Sequence, residues 1–150
     1  MSQFEVINPD FIPILENVTW TLDDPLTGGI PGFLNLKMGV YDLEKGELTG
    51  SFEVREEFLG VRGILDGGAT ATLADLVSGA TFYPYIPVGA KVVTVETKTN
   101  YFRTVREGSV IAYSKIESLN REIGVITCRV ENDSRLVALS QSTFKVVSVL

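Results

Sequence analysis

The feature that most constrains this chain is a run of twenty-four residues, 67–90, in which Asp75 is the only charged side chain. Its first part predicts one long helix that ends before Pro84, because proline disfavours the helical conformation in the residue before it. A surface helix normally carries Lys, Glu or Arg on its wet side, whereas this one carries Gly, Ala, Thr and Ser. We therefore expect the helix, about 67–83, to be covered on more than one side, with Asp75 buried on it.

The predicted helix has two unlike faces. The apolar face is expected to pack on a sheet and consists of Leu73, Leu76, Val77 and Ala80. Asp75 falls on the opposite side, where its neighbours are Gly68, Ala71, Thr72, Ser78 and Gly79. Such small, uncharged residues let a second subunit approach closely, so we expect a homodimer with Asp75 near its interface. Because burying an unpaired carboxylate is costly, Asp75 is a candidate functional residue.

Alternating apolar and polar residues predict six strands, at Phe33–Asp42, Glu47–Arg55, Val92–Arg103, Ser109–Leu119, Gly124–Asn132 and Leu136–Val147. Short connections rich in turn-forming residues favour antiparallel hairpins. One helix and six mostly antiparallel strands make an α+β layer structure. Residues 1–32, which hold four of the six prolines, are expected to form an irregular cover with a short helix near Pro9–Asn17, and residues 33–150 the main domain.

Charge and the absence of histidine exclude several functions. A net charge of −6 argues against a nucleic-acid partner, since phosphate contacts need clustered Lys and Arg. Residues 1–75 carry 13 acidic and 4 basic side chains, whereas residues 76–150 carry 6 and 9, so an anionic ligand on the second half stays open. Without histidine, neither a Ser-His-Asp or Cys-His nucleophile system nor a His–Cys zinc site can be built, and we expect no metal.

The single cysteine, Cys128, lies in an apolar run, and we interpret it as a buried structural thiol. One cysteine forms no intrachain disulfide, which fits a reducing compartment. The first residues lack the basic and apolar regions of a secretory signal, and glycines, prolines and Asp75 interrupt the run 67–90. We therefore expect a cytoplasmic protein with no membrane partner.

Asp66, Gly67 and Gly68 precede the predicted helix and allow two interpretations. In the first, Asp66 is a helix cap and the glycines form a tight turn. In the second, the free N–H groups and positive dipole of the helix start form an oxyanion site over Gly67. Asp75 lies eight residues further, about 12 Å along the axis at ~1.5 Å per residue. Both groups then serve one substrate only when the helix start of one subunit faces Asp75 of the other.

Two segments of the sequence resemble a known family. The segment GILDGGATATLADLVSGATF is similar to the HGG…TLAD signature of PaaI-like hotdog-fold acyl-CoA thioesterases, and VVTVETKTNYFRTVREGSV is similar to their N-F-x-R-P-x-x-x-G signature. The resemblance covers about residues 32–147. It implies a six-stranded sheet wrapped around a central helix, dimers that often pair into homotetramers, and hydrolysis of acyl-CoA thioesters. No cofactor is implied apart from the CoA of the substrate.

The resemblance also implies roles for single residues. Asp75 corresponds to the carboxylate that acts as nucleophile or as general base for water, and Gly67 to the N–H donor that polarises the thioester carbonyl. Thr94 corresponds to a hydroxyl that positions the water in some members. The residues expected to contact substrate are Asp66, Gly68, Arg103 and Arg106, the two arginines through the CoA phosphates.

The sequence departs from the family pattern where a histidine normally precedes the two glycines. Asp66 stands at that position, and an ionised carboxylate accepts hydrogen bonds but does not donate them. Gly60 stands where some members have Asn or Gln, and Tyr101 and Thr104 replace Phe and Pro in the second signature. Two alternatives to hydrolysis therefore stay open: a non-catalytic dimer that binds acyl-CoA or another small apolar ligand, and a purely structural dimerisation module.

Overall fold

The computed structural model describes residues 3–24 and 28–148, in which six strands form one sheet around a long helix. The strands are β1 (Lys37–Asp42), β2 (Glu47–Glu53), β3 (Lys91–Tyr101), β4 (Ser109–Leu119), β5 (Ile123–Asn132) and β6 (Arg135–Val147). The helices are α1 (Ile12–Leu15), α2 (Ile30–Leu34) and the central α3 (Gly67–Thr81). All strand pairs are antiparallel, so the predicted α+β architecture is confirmed.

The strand order β1-β2-β4-β5-β6-β3 leaves β1 and β3 at the two edges of the sheet. Between β5 and β6, Asp133 and Ser134 both adopt positive φ angles, 50° and 58°. Two such central residues form the type of turn that matches the twist of antiparallel strands. The predicted hairpin at this position is therefore confirmed.

The sheet holds α3 through the apolar face that the sequence predicts. Leu73 and Val77 are completely buried and Ala80 nearly so, whereas Leu76 is only partly covered. The helix comes close to β2 at Gly50, where an added methyl group would lie 2.5 Å from Cγ2 of Val77. The lack of a side chain at Gly50 thus sets how closely α3 packs on the sheet.

The predicted start of the first strand is wrong for an identifiable reason. The chain at Phe33 is helical, and β1 starts only at Lys37. Pro31 in the first turn and Asn35 in the left-handed conformation (φ 49°) are a favourable start and end for the short helix α2. Helix α3 ends at Thr81 rather than Tyr83, and a 3-10 turn at Tyr83–Tyr85 follows it.

Residues before α2 run along β1 and cover its edge. Around the predicted helix Pro9–Asn17 the chain forms a 3-10 turn, Pro9–Phe11, and then α1. The N–H of Trp20 donates to the carbonyl of Leu36 over 2.9 Å, and the N–H of Met38 donates to the carbonyl of Val18 over 2.8 Å. The predicted cover also includes residues 1–2 and 25–27, and the predicted main domain 149–150, all of which lie outside the described residues.

Among the residues that the structure describes, no helix has the length and apolar character needed to cross a bilayer.

Replacing Gly50 by alanine should lower the free energy of unfolding by about 1–3 kcal/mol, because the methyl group would overlap Val77 in a packed core. Gly60→Ala is the matched control, since its methyl group would have the Ile64 carbonyl oxygen, 3.7 Å away, as its nearest contact. We expect the control to change stability by less than about 0.5 kcal/mol in urea denaturation. Equal effects of the two substitutions would contradict the close approach of α3 to β2.

Candidate active site

Asp75 lies in the middle of α3 and faces the edge strand β3. Its Oδ1 atom accepts hydrogen bonds from the hydroxyls of Thr94 (2.8 Å) and Thr97 (3.4 Å). The hydroxyl of Thr97 is also 3.0 Å from that of Ser142 on β6. Within the described residues no donor reaches Oδ2 of Asp75. Two hydroxyls therefore orient the carboxylate and leave one of its oxygens free.

A bulge in β3 allows both threonines to reach Asp75. Thr94 and Thr97 are three residues apart and would point to opposite faces of a regular strand. The register between β3 and β6 shifts between Thr94 and Glu96, and an extra residue at such a point turns the following side chains over. The sequence predicts Thr94 but misses Thr97. One signal was available in the sequence. Glu96 follows Thr94 by two positions, so in a regular strand it would lie on the same face as Thr94, toward the helix. Glu96 is charged and exposed, which indicates that the alternation is interrupted before it.

The predicted surroundings of Asp75 need correction. Ser78 and Gly79, which were expected to share its open face, are fully buried against the sheet, and a methyl group at Gly79 would lie 3.2 Å from the ring of Phe144. Asp75 itself was expected to be buried but is only partly covered. The curved sheet covers more of α3 than the apolar stripe alone, and Ser78 and Gly79 are therefore buried. The sheet ends at strand β3, beside Asp75, which therefore stays partly exposed.

At the start of α3, Asp66 is the helix cap. Its Oδ1 atom accepts a hydrogen bond from the N–H of Gly68 over 2.8 Å. The N–H of Gly68 is thereby occupied, whereas the N–H of Gly67 has no acceptor within the described residues. Of the two glycines proposed for substrate contact, Gly67 thus retains the free donor of a helix start.

Tyr101 covers the backbone of Gly67. Its hydroxyl donates to the Gly67 carbonyl oxygen over 2.7 Å, and its ring lies 3.4 Å from where a methyl group on Gly67 would be. Burial, and then the charge of Asp66, raise the pKa of the Tyr101 phenol. Tyr101 therefore remains a neutral donor and adds no negative charge beside Asp66.

The structure separates the two arginines. Arg103 lines a cleft of about 180 Å³ together with Gly67 and Tyr101, and its Nη1 donates to the carbonyl of Leu136 over 2.9 Å. Arg106 lies in a different groove and donates to the carbonyls of residues 62 and 63, both at 3.0 Å. Neither arginine has a carboxylate partner among the described residues. Arg103 is therefore the cation that shares a cleft with the helix start.

Cys128 takes no part in this site. The side chain is buried, and burial raises the pKa of its thiol to about 12. The thiolate, which is the nucleophilic form, is therefore scarce at neutral pH. The interpretation of Cys128 as a structural thiol is confirmed.

A helix enclosed by a six-stranded antiparallel sheet, with a carboxylate on the helix and a free N–H at its start, defines a hotdog-fold enzyme. Residues 62–139 match the Thioesterase superfamily, and the chain belongs to that family. The expectations of a hotdog fold and of a hydrolase of the thioesterase kind are thereby confirmed.

Solved structures share this fold, and a sequence relative covers most of the chain. Thioesterase HI1161 of Haemophilus influenzae superposes with a TM-score of 0.78 and 23% identity, over 91% of this chain and 96% of that one. A mutant of thioesterase PA1618 from Pseudomonas aeruginosa gives 0.76 and 25%, over 81% and 87%. The inferred esterase Ta0293 of Thermoplasma acidophilum is 26% identical, over 75% of this chain and 86% of its own length.

Replacing Asp66 by alanine should lower the free energy of unfolding by about 1 kcal/mol, because the cap on the N–H of Gly68 is lost. Asp66→Asn keeps an oxygen acceptor at this position, and asparagine caps helices about as well as aspartate. We therefore expect the asparagine variant to unfold at nearly the wild-type urea concentration. If both variants unfold alike, the hydrogen bond to Gly68 does not stabilise the helix.

Proposed function

We propose that the protein hydrolyses acyl-CoA thioesters to a free acid and CoA, with Asp75 as the catalytic carboxylate. The observation that carries the proposal is the geometry of Asp75, whose Oδ1 is held by Thr94 and Thr97 while Oδ2 is free. The carboxylate opens into a groove of about 680 Å³, whose wall on β3 is formed by threonines and Tyr101. A fixed carboxylate with one free oxygen next to an open groove is suited to bind and deprotonate a water molecule.

In the proposed reaction, Oδ2 of Asp75 removes a proton from water while the water oxygen bonds to the thioester carbonyl carbon. The N–H of Gly67 and the positive end of α3 stabilise the negative charge that develops on the carbonyl oxygen. The carbon–sulfur bond then breaks, CoA leaves as a thiolate, and the proton held by Asp75 returns to the sulfur. Direct attack by Asp75 on the carbonyl is the other route consistent with a carboxylate at this position.

We propose further that each site combines Asp75 of one subunit with Gly67 of its partner. The two residues lie eight positions apart on one helix, which is about 12 Å and too far for a single carbonyl group. Strand β3, beside Asp75, is a sheet edge that exposes Val93 (46%) and Val95 (61%). An unpaired edge with exposed apolar side chains favours pairing with a second copy, which would bring the two helices together. A homotetramer would be a further pairing of such dimers.

Arg103 is the residue proposed to meet the anionic part of CoA, because it shares a cleft with Gly67 and has no carboxylate partner among the described residues. Arg106 is the second candidate, although its guanidinium already binds the loop at residues 62 and 63. The proposed location is cytoplasmic, where acyl-CoA substrates are present.

Binding of acyl-CoA without hydrolysis is the second candidate function. It is favoured by Asp66, which stands where the family has a histidine and whose carboxylate is engaged in the helix cap. A carboxylate in that position supplies no donor for the thioester carbonyl. Tight binding of acyl-CoA without thiol release over a broad panel would select this function over hydrolysis.

Asp75→Asn should lower kcat for thiol release about 10²–10⁴-fold, because the amide still accepts hydrogen bonds from Thr94 and Thr97 but cannot act as a base. Release of CoA is followed with a thiol reagent, to which buried Cys128 contributes little. Asp133→Asn is the matched control, since Asp133 is exposed in a turn with φ 50°, a conformation that asparagine also adopts. Wild-type turnover by the Asp75 variant would exclude this mechanism.

Gly67→Pro tests the backbone donor alone. Proline is tolerated at the first position of a helix, and Asp66 has the extended conformation (ψ 131°) that precedes proline readily. The substitution removes the N–H, and we expect kcat to fall about 10²–10³-fold. Gly67→Ala retains the N–H and places its methyl group in ordinary contact with Tyr101, so it should keep most of the activity. If both variants lose activity equally, the loss is caused by the added side chain and not by removal of the N–H.

Co-expression of the Asp75→Asn and Gly67→Pro variants tests whether the site is shared between subunits. In a heterodimer with shared sites, one site carries both defects and the other is intact, so random pairing restores about a quarter of wild-type activity. Sites made within one chain would stay inactive in every combination. Light scattering of the same samples gives the oligomeric state.

A further inference from the structure

Asp75 also borders a second groove, which the proposed reaction leaves unused. This apolar slot of about 220 Å³ runs from Asp75 toward the end of α3. Its walls come from α3, from the sheet and from the N-terminal segment, and include Leu76, Tyr83, Val92, Phe144, Leu15 and Trp20. We propose that this slot binds the acyl group of the substrate and that Leu15 and Trp20 set the upper limit of its size. The inference rests on the proposed function at Asp75.

The N-terminal wall of the slot is anchored to the domain. Leu15 is 6% exposed and belongs to the main core, and the backbone of Trp20 is hydrogen-bonded to Leu36 over 2.9 Å. Phe11 stacks on Tyr83 with ring centroids 4.6 Å apart, at the end of the slot far from Asp75. The N-terminal wall of the slot is therefore held in place on the domain.

The dimensions of the slot define a class of acyl group. An apolar cavity of about 150 Å³ is large enough to bind benzene, so about 220 Å³ suits a single substituted ring or an aliphatic chain of similar volume. The slot extends from Asp75 to Tyr83, which are eight residues apart, so its length is about 12 Å at a helical rise of ~1.5 Å per residue. Long fatty acyl groups exceed both limits.

The charges of the residues that line the slot restrict the class of acyl group further. Of the described residues that line it, Asp75 is the only charged one, and none is a cation. A second carboxylate on the acyl group would be desolvated there without a partner and close to another negative charge, which is costly. The proposed substrates are therefore uncharged acyl groups of short to medium length.

The first experiment measures kcat/KM for straight-chain acyl-CoAs from acetyl to palmitoyl. Each methylene buried in the slot should raise kcat/KM about four-fold, from ~0.8 kcal/mol per methylene, until the slot is full, after which the value should fall. Trp20→Ala should move the optimum to longer chains. Trp20→Phe keeps an aromatic wall and removes less of the side chain, so it should move the optimum in the same direction by fewer methylenes than Trp20→Ala does. Butyryl-CoA should exceed succinyl-CoA at least ~100-fold, since the two differ by one carboxylate.

A second measurement does not depend on turnover. Trp20 is the only tryptophan in the sequence, so its emission reports directly on the wall of the slot. In the Asp75→Asn protein, octanoyl-CoA should shift this emission, whereas CoA alone should not. This measurement uses the intact Trp20 wall and therefore remains decisive if Trp20→Ala fails to fold.

The outcomes separate the two proposals. Thiol release with an unchanged chain-length optimum in Trp20→Ala overturns the slot and leaves the thioesterase proposal standing. The slot is also overturned if octanoyl-CoA binds without any change in Trp20 emission. If no acyl-CoA is hydrolysed, the proposed function fails, and the emission of Trp20 in the wild-type protein alone decides whether the slot binds an acyl group.

Discussion

The contact between α3 and the sheet is the constraint on which the candidate site depends. Among the described residues, the buried part of α3 carries no charged side chain, and the lack of a side chain at Gly50 and Gly79 leaves room for Val77 and Phe144, respectively. Interiors packed at this density tolerate little displacement, because an added methyl group has nowhere to go. The height and rotation of α3 relative to β3 are therefore fixed, and they place Asp75 2.8 Å from the hydroxyl of Thr94.

The contact between α3 and the sheet also contains buried hydroxyl groups, and these continue to its edge, where Asp75 lies. The hydroxyls of Thr81 and Ser114 lie 2.5 Å apart, and each is also within hydrogen-bond distance of a backbone carbonyl, that of Val77 (2.7 Å) and that of Leu48 (2.9 Å), respectively. Thr81 and Ser114 thus have polar partners at close range, whereas the buried hydroxyl of Ser78 has none among the described residues. The Thr97–Ser142 pair extends the same chemistry to Asp75. The carboxylate is thus held by the margin of the core rather than by a surface loop.

The parts of the candidate site that the sequence predicted are those that depend on residues close together in one segment. The lone charge in an uncharged helix identified Asp75, and the stripe of Leu73 and Val77 identified the buried face, because both depend on helical periodicity alone. The bulge that brings in Thr97 depends on pairing between β3 and β6, which periodicity within one strand does not report. The burial of Ser78 depends on how far the sheet curves around α3. Small polar residues fit either face of a helix, and the expectation that Ser78 faces away from the sheet was therefore wrong.

Short irregular segments were predicted least well, again for a physical reason. Residues before Lys37 were read as the start of a strand from their alternation, whereas Pro31 and the left-handed Asn35 stabilise one short helix there. The edge pairing of the chain near Trp20 with β1 involves backbone atoms and leaves no side-chain pattern. That pairing nevertheless places Trp20 against the slot beside Asp75. A segment that looks like a cover in the sequence thereby forms one wall of the proposed slot.

The electrostatics of the helix start explain why Arg103 matters to the proposed reaction. Asp66 sits at the positive end of α3 and occupies the N–H of Gly68, and its charge contributes to the raised pKa of Tyr101. A carboxylate there offsets part of the helix dipole that would otherwise favour an oxyanion at Gly67. Arg103 lies in the same cleft and uses only Nη1 for its bond to a carbonyl, while a guanidinium has five N–H donors. Its charge is therefore available to restore a positive potential around Gly67.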